Sequence, residues 1–176
     1  MKLLILANDT DVVVLAISNF DEIGAHELWI GFGVGKHFHY IPIHEIVKKM
    51  SSEMRKALPA FHALTGCDTT SFFSGSGKKS AYEKWLARPE LTTALCHIMD
   101  RPDKLEEEYI DIISKYVIAL YSVTCPLSDV NRARQYIFTH GARTFEYLPP
   151  TNETLREHIF FCFRNVLSDF LNQDVP

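Results

Sequence analysis

The stretch Leu3-Leu4-Ile5-Leu6-Ala7-Asn8-Asp9-Thr10-Asp11 decides how this chain is expected to fold. Five apolar residues in a row predict a buried strand, because a strand covered on both faces is apolar throughout. The strand ends at a polar turn, and ligands of open α/β sheets bind at the carboxyl ends of strands. Asp9 and Asp11 repel each other there unless a hard cation such as Mg²⁺ or Mn²⁺ lies between them. The alternative is that Asp9 or Asp11 caps the element that follows.

The composition is that of a globular domain. The chain has 176 residues, of which 47% are hydrophobic and 23% charged, and its net charge is −4. This charge excludes a global positive field that would attract nucleic acid, so any DNA contact needs a local patch. The four cysteines are widely spaced without a C-x-x-C pair, which indicates a reducing compartment. Because no apolar run is long enough to span a membrane, we expect no membrane partner. Together with the cysteine pattern this predicts an intracellular protein, nuclear or cytoplasmic. We expect it to be a monomer.

The periodicity of the chain predicts an α/β fold with a small N-terminal sheet and a mostly helical remainder. Two more strand-like runs, residues 28–32 and 37–41, flank a glycine-rich segment, which predicts a hairpin. Residues 12–17 are compatible with either strand or helix. From Pro42 onward the apolar spacing is helical, with Asp103 and Glu106 in a capping-box pattern. Helices are predicted over 43–50, 54–64, 82–86, 105–122, 128–140 and 151–171, with one more beginning at Pro89.

A second chemical stretch is Gly75-Ser76-Gly77-Lys78-Lys79, which has the form of a helix–hairpin–helix turn. Two glycines permit a tight turn, and backbone N–H groups at a helix start beside two lysines suit a phosphate without reading base sequence. The alternative is a glycine-rich loop that ends in solvated lysines. Asp68 adds a third carboxylate just before this turn. A phosphodiesterase needs acids that hold metal and a grip on the phosphate backbone, and the chain offers both.

The order of these motifs carries a resemblance to a known family. A strand leads into Asp9-Thr10-Asp11, a hairpin follows, Ile41-Pro42-Ile43 opens a helix, and then come Leu64-Thr65-Gly66-Cys67-Asp68 and the glycine–lysine turn. This order resembles the structure-specific 5′ nucleases of the flap-endonuclease (XPG-like) family, whose core is a PIN-like, Rossmann-like fold. It is similar above all to a group of uncharacterised animal proteins that share the Asp-Thr-Asp-Val and Ala-Leu-Thr-Gly-Cys-Asp-Thr-Thr patterns. The likeness covers residues 3–86.

The resemblance implies a function and a set of site residues. It implies that residues 12–17 begin as a helical turn and that residues 1–86 are a nuclease-like segment with a helix–hairpin–helix. The length of the chain predicts a single domain, in which the helical pattern makes residues 87–176 an extension. It implies a metal-dependent DNA nuclease with Mg²⁺ or Mn²⁺ as cofactor and DNA as partner. By this resemblance the catalytic, metal-binding residues are Asp9, Asp11 and Asp68, and the DNA-backbone-binding residues are Gly75, Gly77, Lys78 and Lys79.

Two departures from the family lower the expected activity. The family's site also takes acids from a strand and a helix before the Asp-x-Asp strand, so we expect this chain to be an N-terminally truncated fragment. Thr69 stands where these nucleases usually carry an aromatic residue. We therefore expect weak or absent catalysis, and the alternative is a non-catalytic module that binds DNA or, through Phe160, Phe161 and Phe163, another protein.

Overall fold

The computed structural model describes residues 1–101, 104–141 and 144–166. The chain divides into two compact units, Met1–Pro59 and Ala60–Pro176, which we call unit 1 and unit 2. The division falls at Pro59, inside the helix Ser52–Leu64 (α4). The expectation of a single domain with a subdivision at residue 86 stays a prediction.

Unit 1 begins with a β-α-β segment. The strand Lys2–Ala7 (β1) is followed by the helices Thr10–Ser18 (α1) and Phe20–Ile23 (α2), and then by the strand Glu27–Phe32 (β2). The strands β1 and β2 are parallel, with Ile5 opposite Ile30. The strand His39–Pro42 (β3) pairs antiparallel with β2, so the predicted hairpin is confirmed. The helix Ile43–Val47 (α3) follows and is shorter than the predicted 43–50.

The ambiguous run after the first strand is helical, as the resemblance implied. Val14, Ala16 and Ile17 of α1 are buried and contribute to the core of unit 1. That core also contains Leu28, Ile30 and other apolar residues of the sheet. The β-branched residues at the start of α1 do not prevent the helix, because tertiary burial outweighs their small loss of helix propensity.

The prediction that β1 is buried on both faces is wrong. Leu3, Ile5 and Ala7 pack against the core, whereas Leu4 and Leu6 are 55% and 71% exposed. The helices α1 and α3 are in contact with each other, and α3 also contacts β2, so the cover of the sheet in unit 1 lies on the face of Leu3 and Ile5. An all-apolar strand is therefore compatible with a sheet covered on one face.

Apart from loops and an isolated bridge between Cys67 and Thr70, the described secondary structure of unit 2 is helical, as predicted. Pro89 begins a helix as expected, α5 begins at Lys78 rather than at residue 82, and Asp103 and residues 167–171 lie outside the described part of the chain. No described helix is both long and apolar enough to cross a membrane. Beyond the end of α4, the helices are Lys78–Leu86 (α5), Pro89–Asp100 (α6), Glu107–Tyr121 (α7), Val130–Thr139 (α8) and Asn152–Phe161 (α9), and α9 runs on into a π-helical turn, Cys162–Val166.

The helix α7 is the centre of unit 2 and contacts α5, α6, α8 and α9. Ile110, Ile113, Val117 and Leu120 are buried, as their spacing predicts. Tyr116 on another side of the helix is buried as well, and its hydroxyl donates to the carbonyl of Ala81 at 3.0 Å. A helix buried on nearly all sides is a core helix rather than a surface one. The coarse prediction, an α/β chain with a small N-terminal sheet and a helical remainder, is confirmed.

Candidate functional site

Asp9 and Asp11 lie in unit 1, directly after the carboxyl end of β1. Asp9 is the N-cap of α1, with extended backbone angles, and its Oδ1 accepts a hydrogen bond from the backbone N–H of Asp11 at 2.8 Å. Asp9 is exposed and Asp11 is half-buried. The capping alternative is thus confirmed for Asp9, since a side-chain oxygen that satisfies an N–H of the first turn is the function of an N-cap. Capping engages one carboxylate oxygen and holds the side chain at the start of the helix.

Asp68 lies in unit 2, on a tight turn that follows α4. The backbone N–H of Thr70 donates to the carbonyl of Cys67 at 3.2 Å, which closes a four-residue turn. Asp68 and Thr69 are the two central residues of this turn, and both are exposed. The turn therefore presents the Asp68 carboxylate to solvent at a defined place.

Thr70 holds this turn against the end of α4. Its hydroxyl donates to the carbonyl of Ala63 at 2.8 Å and accepts from the N–H of Cys67 at 2.9 Å. Thr70 is only 8% exposed. One hydroxyl thus gives a carbonyl of the helix end a shorter hydrogen bond than those it accepts from the N–H of Gly66 and the thiol of Cys162, and it also satisfies a donor of the turn.

Gly66 allows the following loop to approach the turn. Its φ of +101° disfavours residues that carry a side chain, and a Cβ at this position would lie 2.7 Å from Cβ and 2.8 Å from Cα of Phe72. Only glycine meets both conditions without a shift of the backbone. Thr65, Gly66 and Thr70 of the Thr-Gly-Cys-Asp-Thr-Thr motif are therefore structural residues that position Asp68.

The glycine–lysine turn opens a helix, as expected from its sequence. Gly77 is the N-cap of α5, which begins at Lys78, and Gly75 has a φ of +74°. The ammonium of Lys78 donates to Nδ1 and to the carbonyl O of His62, at 3.0 Å each, and to Oγ1 of Thr65 at 3.2 Å. A cation at a helix C-terminus is stabilised by the helix dipole, so Lys78 has a structural role at the end of α4. Lys79 is exposed.

Sequence reasoning missed a thiol cluster in unit 2. The sulfur of Cys67 lies 3.2 Å from Oγ1 of Thr70 and 3.4 Å from Oγ1 of Thr69. The Cys162 thiol donates to the carbonyl of Ala63 at 3.3 Å, the same carbonyl that accepts from Thr70. The two cysteines are 95 positions apart in the chain, so no local pattern indicates their proximity.

The two thiols have opposite pKa shifts. Burial raises the pKa of the Cys67 thiol, but hydrogen bonds from the Thr69 hydroxyl and from the backbone of Thr69 and Thr70 outweigh burial, and the pKa lies below its ordinary value. Burial raises the pKa of Cys162 to about 12, with a smaller contribution from the charge of Cys67. A thiol with a lowered pKa is the more nucleophilic of two at neutral pH. Cys67 is thus the reactive cysteine of this cluster.

The predicted site residues fall in both units. Asp68, Gly75, Gly77, Lys78 and Lys79 belong to unit 2, and Lys78 is joined through Thr65 to the segment that leads into the Asp68 turn. Asp9 and Asp11 belong to unit 1. Among the described residues, no group of three or more His, Cys, Asp or Glu side chains is spaced to hold a metal ion. The role of the three aspartates as metal ligands stays a prediction.

Comparisons of the chain with protein-family models, with curated proteins and with solved structures found no match.

Proposed function

We propose that the chain carries part of a divalent-metal-dependent phosphodiesterase site of the flap-endonuclease (XPG-like) kind, within a partial PIN-like fold, with weak or no activity as this chain. The single observation that carries the proposal is the position of Asp9 and Asp11 directly after the carboxyl end of β1, one of two parallel strands. Ligands of α/β sheets bind at this end of the strands.

The chemistry of the two carboxylates fits one hard cation. Mg²⁺ is commonly held by one or two carboxylates and keeps several waters. Asp9 uses one oxygen of its carboxylate to cap α1, which fixes the orientation of the group at an exposed position. A metal bound there would polarise a phosphoryl oxygen and lower the pKa of a coordinated water. Two aspartates suit a single weakly held ion, which is why we propose weak activity.

Unit 2 carries the other residues that the resemblance implies, Asp68 and the start of α5. The turn at Cys67–Thr70 presents the Asp68 carboxylate to solvent, as a metal ligand or as an acceptor from water requires. Lys79 is exposed beside the N-terminus of α5, where a phosphate is favoured by the helix dipole. Lys78 is held on His62 and Thr65 and would support the turn rather than bind phosphate directly.

The test combines Mn²⁺ binding with cleavage of branched DNA in Mg²⁺ or Mn²⁺. We expect millimolar Mn²⁺ affinity that falls at least tenfold in Asp9→Asn and in Asp11→Asn, because asparagine lacks the negative charge. At position 9 asparagine still caps α1, so the change there tests the charge alone. Asp129→Asn is the matched control, since Asp129 caps α8 by accepting from the N–H of Arg132 at 2.7 Å. Cleavage that is unaffected by both Asp11→Ala and Asp68→Ala would exclude this site.

A non-catalytic DNA-binding function is the first alternative. It rests on the exposed Lys79 at the start of α5, and the net charge of −4 opposes it. Salt-dependent binding should weaken in Lys79→Ala, and the slope of log affinity against log salt should fall by about 1. Lys115→Ala, at another exposed lysine of unit 2, is the control. Equal effects of the two substitutions would contradict a specific grip at α5.

A protein-interaction function is the second alternative, favoured by two phenylalanines of α9. Phe160 and Phe161 are 38% and 47% exposed, whereas Phe163 is fully buried and belongs to the core. Phe160→Ser and Phe161→Ser should leave folding intact and abolish capture of a specific partner. A partner that binds both variants as well as the parent chain would remove this surface from consideration.

A further inference from the structure

Unit 2 contains a cavity of about 720 Å³ between the loop that follows the Asp68 turn and the helix α9. Small-molecule sites in proteins have volumes of about 300–1,000 Å³ and combine an apolar lining with a few polar groups. The aromatic residues of this lining are Phe72, Phe73, Tyr121 and Phe161. The cavity thus has the size and the character of a site for a whole small molecule.

One face of α9 forms a wall of the cavity. Thr154, Glu157, His158 and Phe161 all line it, and their spacing of three and four residues places them on one side of the helix. Leu155 and Ile159 lie on the other side and are fully buried in the core. The phase of the helix therefore fixes the Glu157 side chain on the cavity side.

Three long-range contacts hold this wall in place. Nε2 of His158 donates to the carbonyl of Leu64 at 2.9 Å, and its ring packs edge-to-face on Phe73 with centroids 5.2 Å apart. The guanidinium of Arg156 binds the carboxylate of Glu107 on α7 with two hydrogen bonds, of 2.7 and 2.5 Å. A wall held by contacts to three other parts of unit 2 gives the cavity a defined shape.

The opposite wall exposes a large ring to solvent. Phe72 is 76% exposed, and the close approach of its backbone to Gly66 fixes the start of its side chain. Phe161 on the first wall is also partly exposed. Exposed rings at the mouth of a cavity offer their negative π faces to a ligand, and these faces attract cations.

The carboxylate in the lining of the cavity is negative and belongs to Glu157. No lysine or arginine is among the described residues that line the cavity. Arg134 lies outside the lining, and its guanidinium donates to the carbonyl of Pro149. An anionic ligand would meet repulsion from Glu157, whereas a cation would gain both the carboxylate and the aromatic faces.

We propose that this cavity binds an organic cation, namely a small trimethylammonium compound. Methyl groups around a positive nitrogen spread its charge and make it less costly to remove from water than a primary ammonium, and they contact aromatic rings well. The proposal depends on the residues of unit 2 alone and is independent of the metal and nuclease proposal.

The test compares choline with 3,3-dimethyl-1-butanol, its neutral isostere, by titration calorimetry of the full chain. We expect saturable millimolar binding of choline, and binding of the neutral compound at least tenfold weaker. Glu157→Gln should weaken choline binding about tenfold, and Phe72→Leu should weaken it several-fold. Glu153→Gln, at an exposed glutamate in the first turn of the same helix, should leave it unchanged.

Three results would overturn the proposal. Equal binding of the two compounds would show an apolar cavity without preference for charge. Equal effects of Glu153→Gln and Glu157→Gln would show a general field effect rather than a site. Absence of saturable choline binding by a chain that is folded by circular dichroism would show that the cavity takes no such cation.

Discussion

Thr70→Val should lower the free energy of unfolding of unit 2 by about 1–2 kcal/mol. The Thr70 hydroxyl satisfies the carbonyl of Ala63 at 2.8 Å and the N–H of Cys67 at 2.9 Å, and the residue is almost fully buried. Valine preserves the shape but leaves the Cys67 N–H without this partner, whereas the Ala63 carbonyl keeps its longer hydrogen bonds from the Gly66 N–H and the Cys162 thiol. The half-buried N–H left unsatisfied costs about 1 kcal/mol, and the lost hydrogen bond to the carbonyl costs about 1 kcal/mol more. The added methyl group recovers about 0.8 kcal/mol.

Thr69→Val is the matched control for this prediction. Thr69 is the neighbouring threonine, it is exposed, and its hydroxyl lies 3.4 Å from the Cys67 sulfur. Because water replaces that contact, we expect a change within about 0.5 kcal/mol. Thr70→Ser keeps the hydroxyl and should lose only about 1 kcal/mol, the value of one buried methyl group.

The assay is urea unfolding followed by tryptophan fluorescence in a Trp29→Phe background. The chain has two tryptophans, and this change leaves Trp85, which is 1% exposed and lies in unit 2, as the probe. The midpoint should fall in Thr70→Val at an unchanged slope, which is the signature of a change in stability alone. If Thr70→Val and Thr69→Val unfold at the same urea concentration, the assignment of Thr70 as the residue that completes the turn is refuted.

Three further predictions concern the same part of the chain. Gly66→Ala should destabilise unit 2 by about 2 kcal/mol or more, because of the positive φ and the contact with Phe72. Gly77 has a φ of −71° and nothing within 4 Å of a Cβ, so in the same urea assay Gly77→Ala should cost only what alanine loses as an N-cap, about 1 kcal/mol or less. The free energy of unfolding should fall above pH 9, because the pKa of Cys162 rises from 9.0 to about 12 on folding and the unfolded chain then loses the proton first. By pH 10 this fall should be about 1.4 kcal/mol smaller in Cys162→Ala than in the parent chain. Equal falls in the two proteins would contradict the assignment. Iodoacetamide at pH 7.5 should alkylate Cys67 at least tenfold faster than Cys162, as measured by peptide mass spectrometry, and equal rates would show that the lowered pKa of Cys67 is wrong.

Local pattern was sufficient for most of the elements and for part of the site. The first strand, the hairpin and the succession of helices follow from side-chain spacing, which depends only on neighbours along the chain. The same holds for Asp9, whose place between a strand and a helix predicts a cap, and for Gly77, which precedes a helix start. The boundary of α5 was missed by four residues because lysines and serine at its start interrupt the apolar period.

The sequence by itself determined most of the strands, helices and turns, though not the helical state of residues 12–17, and it placed Asp9 after a strand and Asp68 after a helix. Only the tertiary structure decided which partners these segments meet. It left the outer side of β1 exposed, placed the Lys78 ammonium on His62, and brought the Thr70 hydroxyl and the Cys162 thiol to the carbonyl of Ala63. The physical reason is that periodicity records which side of an element is apolar, whereas contacts between residues far apart in the chain depend on how those sides pack together.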